Sequence, residues 1–212
     1  MTFETVGRPY TRNEHRADAI IHVLGVLFAI NGGAWLLFHA VGLSVLISVS
    51  VYCAGLVAMV TASAVYNLAP NGSAKDVLRR VDHAAIFIMI AATYTPFAVN
   101  RMNQPTGNII LALIWLGATV GVTIKVLFPR RFEMASLALY LGMGWLIVAV
   151  IRPLSAALAV ADFWLLVAGG LVYSAGVAFY LFERLPYHKA IWHGFVLVAA
   201  VLHFSAIASE FT

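Results

Sequence analysis

Long apolar runs alternate with short polar gaps along the whole chain. Seven runs have about the 20 residues a helix needs to cross a bilayer: residues 19–40, 44–67, 81–99, 107–128, 133–151, 160–182 and 190–210. The gaps carry turn formers, namely Asn71-Gly72-Ser73, Pro105 with Gly107, Pro129, Pro153 and Pro186, residues that end regular structure. The first gap, around Gly42, holds no charge and predicts a tight turn. None of the gaps is long enough for an extramembrane domain. The pattern therefore predicts an all-α fold: one integral membrane bundle of seven transmembrane helices over residues 1–212, with 1–18 as a short N-terminal segment.

No internal repeat is evident, and seven spans do not divide into equal halves, which speaks against a transporter of inverted-repeat design. Gly32-Gly33 and Gly169-Gly170 predict close contacts between helices.

Composition agrees with that reading. With 62% hydrophobic and 10% charged residues, the chain has too little polar sequence to cover a soluble globule of its size. No short apolar leader with a small-residue cleavage site precedes the first span, so that span is expected to be retained. Cys53 is the only cysteine, which excludes an intrachain disulfide and Cys-rich metal sites. The available chemistry falls to His, Asp, Glu, Ser and Tyr.

The formal charge of +4 does not indicate nucleic acid, because the basic residues form no stripe interleaved with aromatics. They mark orientation instead. Of the 13 Lys and Arg, eleven fall on one side of a seven-span topology: Arg8, Arg12, Arg16, Lys75, Arg79, Arg80, Lys125, Arg130, Arg131, Arg184 and Lys189. Only Arg101 and Arg152 fall on the other. The bias predicts a multi-pass protein of the cell inner or plasma membrane, its N-terminus cytoplasmic and its C-terminus on the opposite side.

Charged and imidazole groups are costly in hydrocarbon and attract a functional reading when they recur near one end. Glu14, Asp18 and His22 are spaced by four and share a helix face; they form either a juxtamembrane polar face or support for an internal site. Ser63 and Asn67 are also four apart, near the end of span two, where local capping competes with a site role. Asp82-His83 opens span three, and Asp82 is a candidate N-cap as well as a site residue. Lys189 and His193 repeat the spacing at the start of span seven. His203 lies roughly 15 Å farther along the same helix, too far for one shell. Alternation of the spans brings Ser63, Asn67, Asp82, Lys189 and His193 to a common end, where they can converge in a bundle cavity.

The motifs Glu14-x-x-x-Asp18-x-x-x-His22-x-x-Gly25, Ser63-x-x-Tyr66, Arg80-Val-Asp82-His83, Ala92-Thr-Tyr94-Thr-Pro96 and Ala190-Ile-Trp192-His193-Gly-Phe195-Val together resemble the hemolysin III family, related to the progestin and adipoQ receptor family and more distantly to alkaline ceramidases. The resemblance covers essentially the whole chain. It implies seven helices with a cytoplasmic N-terminus and a zinc ion held by three histidines near the cytoplasmic end, supported by Ser63 and Asp82. Two of the three implied histidine positions hold Asn67 and Lys189 instead. An amide oxygen is a weak ligand and a protonated lysine repels a dication, so the change weakens the implied zinc. His188 or His83 are candidate substitutes beside His193. The sharper expectation is that the Lys189 ammonium takes over part of the charge role of zinc by pairing with Asp82.

The favoured function is a resident membrane protein in membrane or lipid homeostasis, acting as a lipid sensor with membrane lipids or acyl chains as partners. The alternatives are a zinc-dependent amide hydrolase acting on a membrane lipid, with Ser63, Asp82 and His193 as catalytic groups, and a cytolysin or proton-coupled transporter. Protein partners are not indicated by the sequence.

Overall fold

The computed structural model of the chain describes residues 10–70 and 72–212. Arg8 of the charge pattern and Asn71 of the second turn lie outside the described residues. The described residues are helical throughout, without a strand, and seven helical spans are long and apolar enough to cross a membrane.

The first helix, α1 (Arg12–His39), starts before its apolar run. Thr11 caps it: its hydroxyl accepts from the Glu14 amide, and the Glu14 carboxylate accepts from the Thr11 amide at 2.8 Å. This reciprocal box satisfies two amides that a helix start leaves free. Residues 12–18, assigned by hydropathy to the N-terminal segment, are therefore helical. Glu14, Asp18, His22, Gly25, Ala29, Gly33 and Leu36 form its buried stripe, at the three- and four-residue spacing of one helix face.

After Gly42, which turns the chain at φ +94°, α2 (Leu43–Leu68) runs back and α3 (Lys75–Asn100) returns. Since α3 begins at Lys75, Asp82 stands two turns inside it and is not an N-cap. The polar turns from Lys75 carry too many charges to register as apolar, although they continue the same helix.

Beyond α4 (Thr106–Leu127), the fifth span is broken. It comprises α5 (Glu133–Gly144), a tighter 3-10 stretch Trp145–Val150, and α6 (Ile151–Ala157). Pro153, read from sequence as the end of this span, lies in the first turn of α6. Proline is tolerated there because first-turn amides have no partner within the helix. The last two helices are α7 (Val160–Leu181) and α8 (His188–Phe211).

Packing proceeds around a ring: α4 on α3, α3 on α2, α2 on α1, α1 on α8, and α8 on α7. The fifth span leans on α3 and α4, and Trp145 reaches α7 by donating its indole N–H to Ser174 Oγ at 3.0 Å. Glycines permit the close crossings expected of small residues. Gly33 faces Cys53 of α2, while a β-carbon at Gly169 would fall 2.3 Å from the ring of His203. His203 thus packs against α7, its Nε2 3.2 Å from the Leu166 carbonyl.

The two ends are chemically unlike. One carries Arg130 paired with Asp76 at 2.7 Å and Glu133 bonded to both Arg79 and Lys125. The other is held by Arg101 with Glu210 at 2.7 Å, and Glu210 also accepts from the Ala159 amide that opens α7.

Candidate functional site

Inside the ring lies a cavity of about 630 Å³, within the ~300–1,000 Å³ usual for small-molecule sites. Its wall changes character along its length. At the basic end it is lined by His22, Ser63, Asn67, Asp82, His83, Lys125, Glu133, His188, Lys189 and His193; deeper in, Met59, Met89, Phe97, Met102, Leu154 and Leu166 take over.

Behind the polar end lies Asp18, buried, whose carboxylate stands between the imidazoles of two lining residues, His22 and His193. Its Oδ1 is hydrogen-bonded to His193 Nδ1 at 2.6 Å, and its Oδ2 lies 3.6 Å from His22 Nε2. The two rings tilt together with centroids 4.4 Å apart. Asp18 and His22 are buried and His193 nearly so. At 3.6 Å the second contact exceeds a hydrogen bond, and among the described residues His22 Nε2 has no hydrogen-bond partner.

Glu14 fixes this arrangement from one turn earlier. One of its oxygens serves the Thr11 cap, and the other accepts from the Tyr187 amide at 2.8 Å. Tyr187 adopts the left-handed conformation, φ +60°, just before α8. One carboxylate therefore joins the starts of α1 and α8, and those two helices supply Asp18 and His193.

Asp82 stands nearby on α3, with the Ser63 side chain and His22 as neighbours. Asn67 is turned onto its own helix, its side-chain amide donating to the Ser63 carbonyl at 3.0 Å. Lys189 does not pair with Asp82. It is exposed, and its ammonium lies 5.2 Å from the centre of the Tyr10 ring, a cation–π contact. Tyr10 also meets His188 edge-on, with centroids 6.1 Å apart. Just outside the first span, burial first and then the charges of Asp18 and Glu14 push the Tyr10 hydroxyl up to about 12.

The expected replacement of zinc by a Lys189–Asp82 pair is thus not formed. At the surface Lys189 keeps its hydration, whereas burial beside one carboxylate would strip it from both ions. His188 and His83 do not join the cluster either: His188 stays at the Tyr10 side, and His83 Nδ1 is 3.9 Å from Glu133. The zinc ligand set implied by resemblance does not fit these residues, since Asn67 points its donor N–H groups back at α2 and Lys189 points away.

A second polar group was not singled out from sequence. Lys125, buried in α4, bonds Glu133 Oε2 at 2.6 Å, and Arg79 bonds Glu133 Oε1 at 2.9 Å. The signal was present, since Lys125 closes an apolar run and Glu133 opens the next, but each read as an orientation or boundary charge.

Seven membrane-spanning helices closing around a cavity, with carboxylate and imidazole groups gathered at one end, define a multi-pass helical membrane protein with an internal polar site. Residues 10–204 match the family of haemolysin-III related proteins, and the chain belongs to it. It is 34% identical over 201 residues to the hemolysin-3 homolog of Bacillus subtilis (strain 168), covering 93% of this chain and 94% of that protein. It is 36% identical over 197 residues to hemolysin-3 of Bacillus cereus, covering 92% and 90%. It is also 30% identical over 202 residues to the human monocyte to macrophage differentiation factor, covering 92% and 83%. No solved structure matches the chain.

Proposed function

We propose that this protein is a resident membrane protein of lipid homeostasis that senses lipid by holding an acyl chain in the ring cavity. The polar head of the lipid would rest against Asp82, Ser63 and His193. The observation that carries this reading is the change along the cavity wall, polar at one end and formed by Met, Phe and Leu farther in. An acyl chain matches that gradient, since each buried methylene contributes about 0.8 kcal/mol.

Lipid would enter between the fifth span and α7, which touch at α6 and through side chains such as Trp145 and Ser174, a thinner seam than α7 makes with α8. With the excess of basic residues taken as the cytoplasmic signal, the cavity's polar end would lie at the cytoplasmic face of the cell membrane, a topology that reporter fusions to the two termini test directly.

An amide hydrolase acting on the same lipid is the second reading, because His193 held by Asp18 has the form of an oriented base. It is weaker, as the hydrogen bond of the His193 ring among the described residues goes to Asp18 rather than to a nucleophile, and the implied metal positions hold Asn67 and Lys189.

The test is lipid analysis of protein purified in mild detergent, with uptake of a fluorescent fatty acid after delipidation. Gly170 lines the cavity, and a β-carbon there meets nothing closer than Trp145 at 3.9 Å. Gly170→Leu is therefore expected to fill the cavity, keep the fold and reduce fatty-acid uptake at least tenfold. Undiminished uptake, or no acyl lipid in the unmodified protein, rejects the proposal.

A further inference from the structure

We propose that the metal site of this chain has moved rather than disappeared: Asp18, His22 and His193 form a site for a transition-metal dication such as zinc, independent of Asn67 and Lys189. Ligand atoms from these three residues all lie within 4.8 Å of one another, and they are the one such group among the described residues. Two ligands each about 2.1 Å from a tetrahedral ion stand about 3.4 Å apart. Asp18 Oδ2 and His22 Nε2 are separated by 3.6 Å, too long for a hydrogen bond and close to that span.

An independent observation points to a ligand. Among the described residues, buried His22 Nε2 has no hydrogen-bond partner, and Asp18 is its nearest carboxylate. A buried nitrogen that neither donates nor accepts is costly, and coordination resolves it. His193 completes the set: its Nδ1 touches the same carboxylate at 2.6 Å, and loading requires that pair to open by under 1 Å, releasing the shared proton, while the widest spacing in the set, up to 4.8 Å, closes by roughly 1.4 Å toward the tetrahedral span.

The charges also suit a dication. Asp18 supplies a negative charge, and a second carboxyl group, Asp82, stands close by with His22 among its neighbours. The only lysine on the α8 side of the site is turned out onto Tyr10. Two imidazoles and one carboxylate form a borderline-soft donor set that selects zinc and related ions over calcium or magnesium. His22 and His193 both line the cavity, so the remaining coordination position faces it. The site shares His193 with the set implied by the family and replaces the other two histidine positions by residues of α1.

The experiment is metal analysis of the full chain in detergent, stripped with chelator, exposed to zinc and desalted. About one retained zinc per chain is expected, with loss in His22→Gln and in Asp18→Asn and full retention in Asn67→Ala and Lys189→Met. Circular dichroism establishes that the variants fold, and zinc-edge X-ray absorption of the unmodified protein, which needs no variant, should count two imidazoles. No retained zinc, equal retention in His22→Gln, loss in Asn67→Ala, or a spectrum without two imidazoles overturns the inference. None of these measurements involves lipid, so their outcome is separate from that of the acyl-chain proposal.

Discussion

Replacing Glu133 by Gln should destabilise the protein far more than replacing its partner Lys125 by Met. Glu133 is the single carboxylate between two cations, bonded to Lys125 at 2.6 Å and to Arg79 at 2.9 Å. The Lys125 side chain is 4% exposed and that of Glu133 33%, so the lysine depends on this carboxylate while the carboxylate keeps some water. Stranding a buried charge costs about 3–5 kcal/mol, and an exposed pair contributes about 0–1. The partial exposure of Glu133 places Glu133→Gln at roughly 2–4 kcal/mol between those limits. At about 2–4 °C per kcal/mol for a chain of this length, the midpoint should fall by about 4–16 °C.

Lys125→Met removes the buried charge together with its desolvation cost, and Glu133 keeps Arg79. Its effect should stay within about 1 kcal/mol. The double variant should recover most of what Glu133→Gln loses. Thermal unfolding in detergent, followed through the five tryptophans, measures all three. Equal losses in the two single variants, or a double variant no better than Glu133→Gln, would refute the assignment of Lys125 as the dependent partner.

Three further outcomes follow from local geometry. A β-carbon at Gly121 would meet the Phe87 ring at 2.3 Å, so Gly121→Ala should cost about 1–3 kcal/mol by overpacking, relieved in part by Phe87→Leu in the same unfolding assay. Thr11→Ala breaks the reciprocal cap with Glu14 and should cost about 0.5–2 kcal/mol, with faster amide exchange confined to the start of α1. Glu210→Gln weakens the tie between Arg101 and α8, and should raise proteolytic cleavage near Leu158–Ala159 while leaving fatty-acid uptake unchanged.

Spans were legible because bilayer crossing imposes one long apolar signal per helix. Their boundaries drifted where the helix continued into polar turns. Thr11 and Glu14 show why: a cap stabilises residues that hydropathy discards. The break in the fifth span leaves no mark in hydropathy, because Trp145–Val150 is as apolar as the turns around it.

Of the residues named from spacing and topology, His22, Ser63, Asn67, Asp82, Lys189 and His193 line the cavity, whereas Glu14 and Asp18 stand behind its wall. Their pairings were not readable. Periodicity puts Asp18 and His22 on one face of α1, but no rule of spacing says that His193, 175 positions away from Asp18, will be its partner. The direction of a long side chain was harder still. Lys189 occupies the expected position on α8, yet its flexible stem carries the ammonium to Tyr10, where hydration and an aromatic face compete successfully with a buried carboxylate.

The tie made by Glu14 between Thr11 and Tyr187 bears on biogenesis. Asp18 enters the bilayer with α1, and His193 with α8. Until α8 arrives, the acid has no imidazole from across the bundle and the Glu14 oxygen has no Tyr187 amide to receive. A chain cut short before α8 therefore lacks both ties between its two ends, and the ring is chemically closed only once α8 has been made.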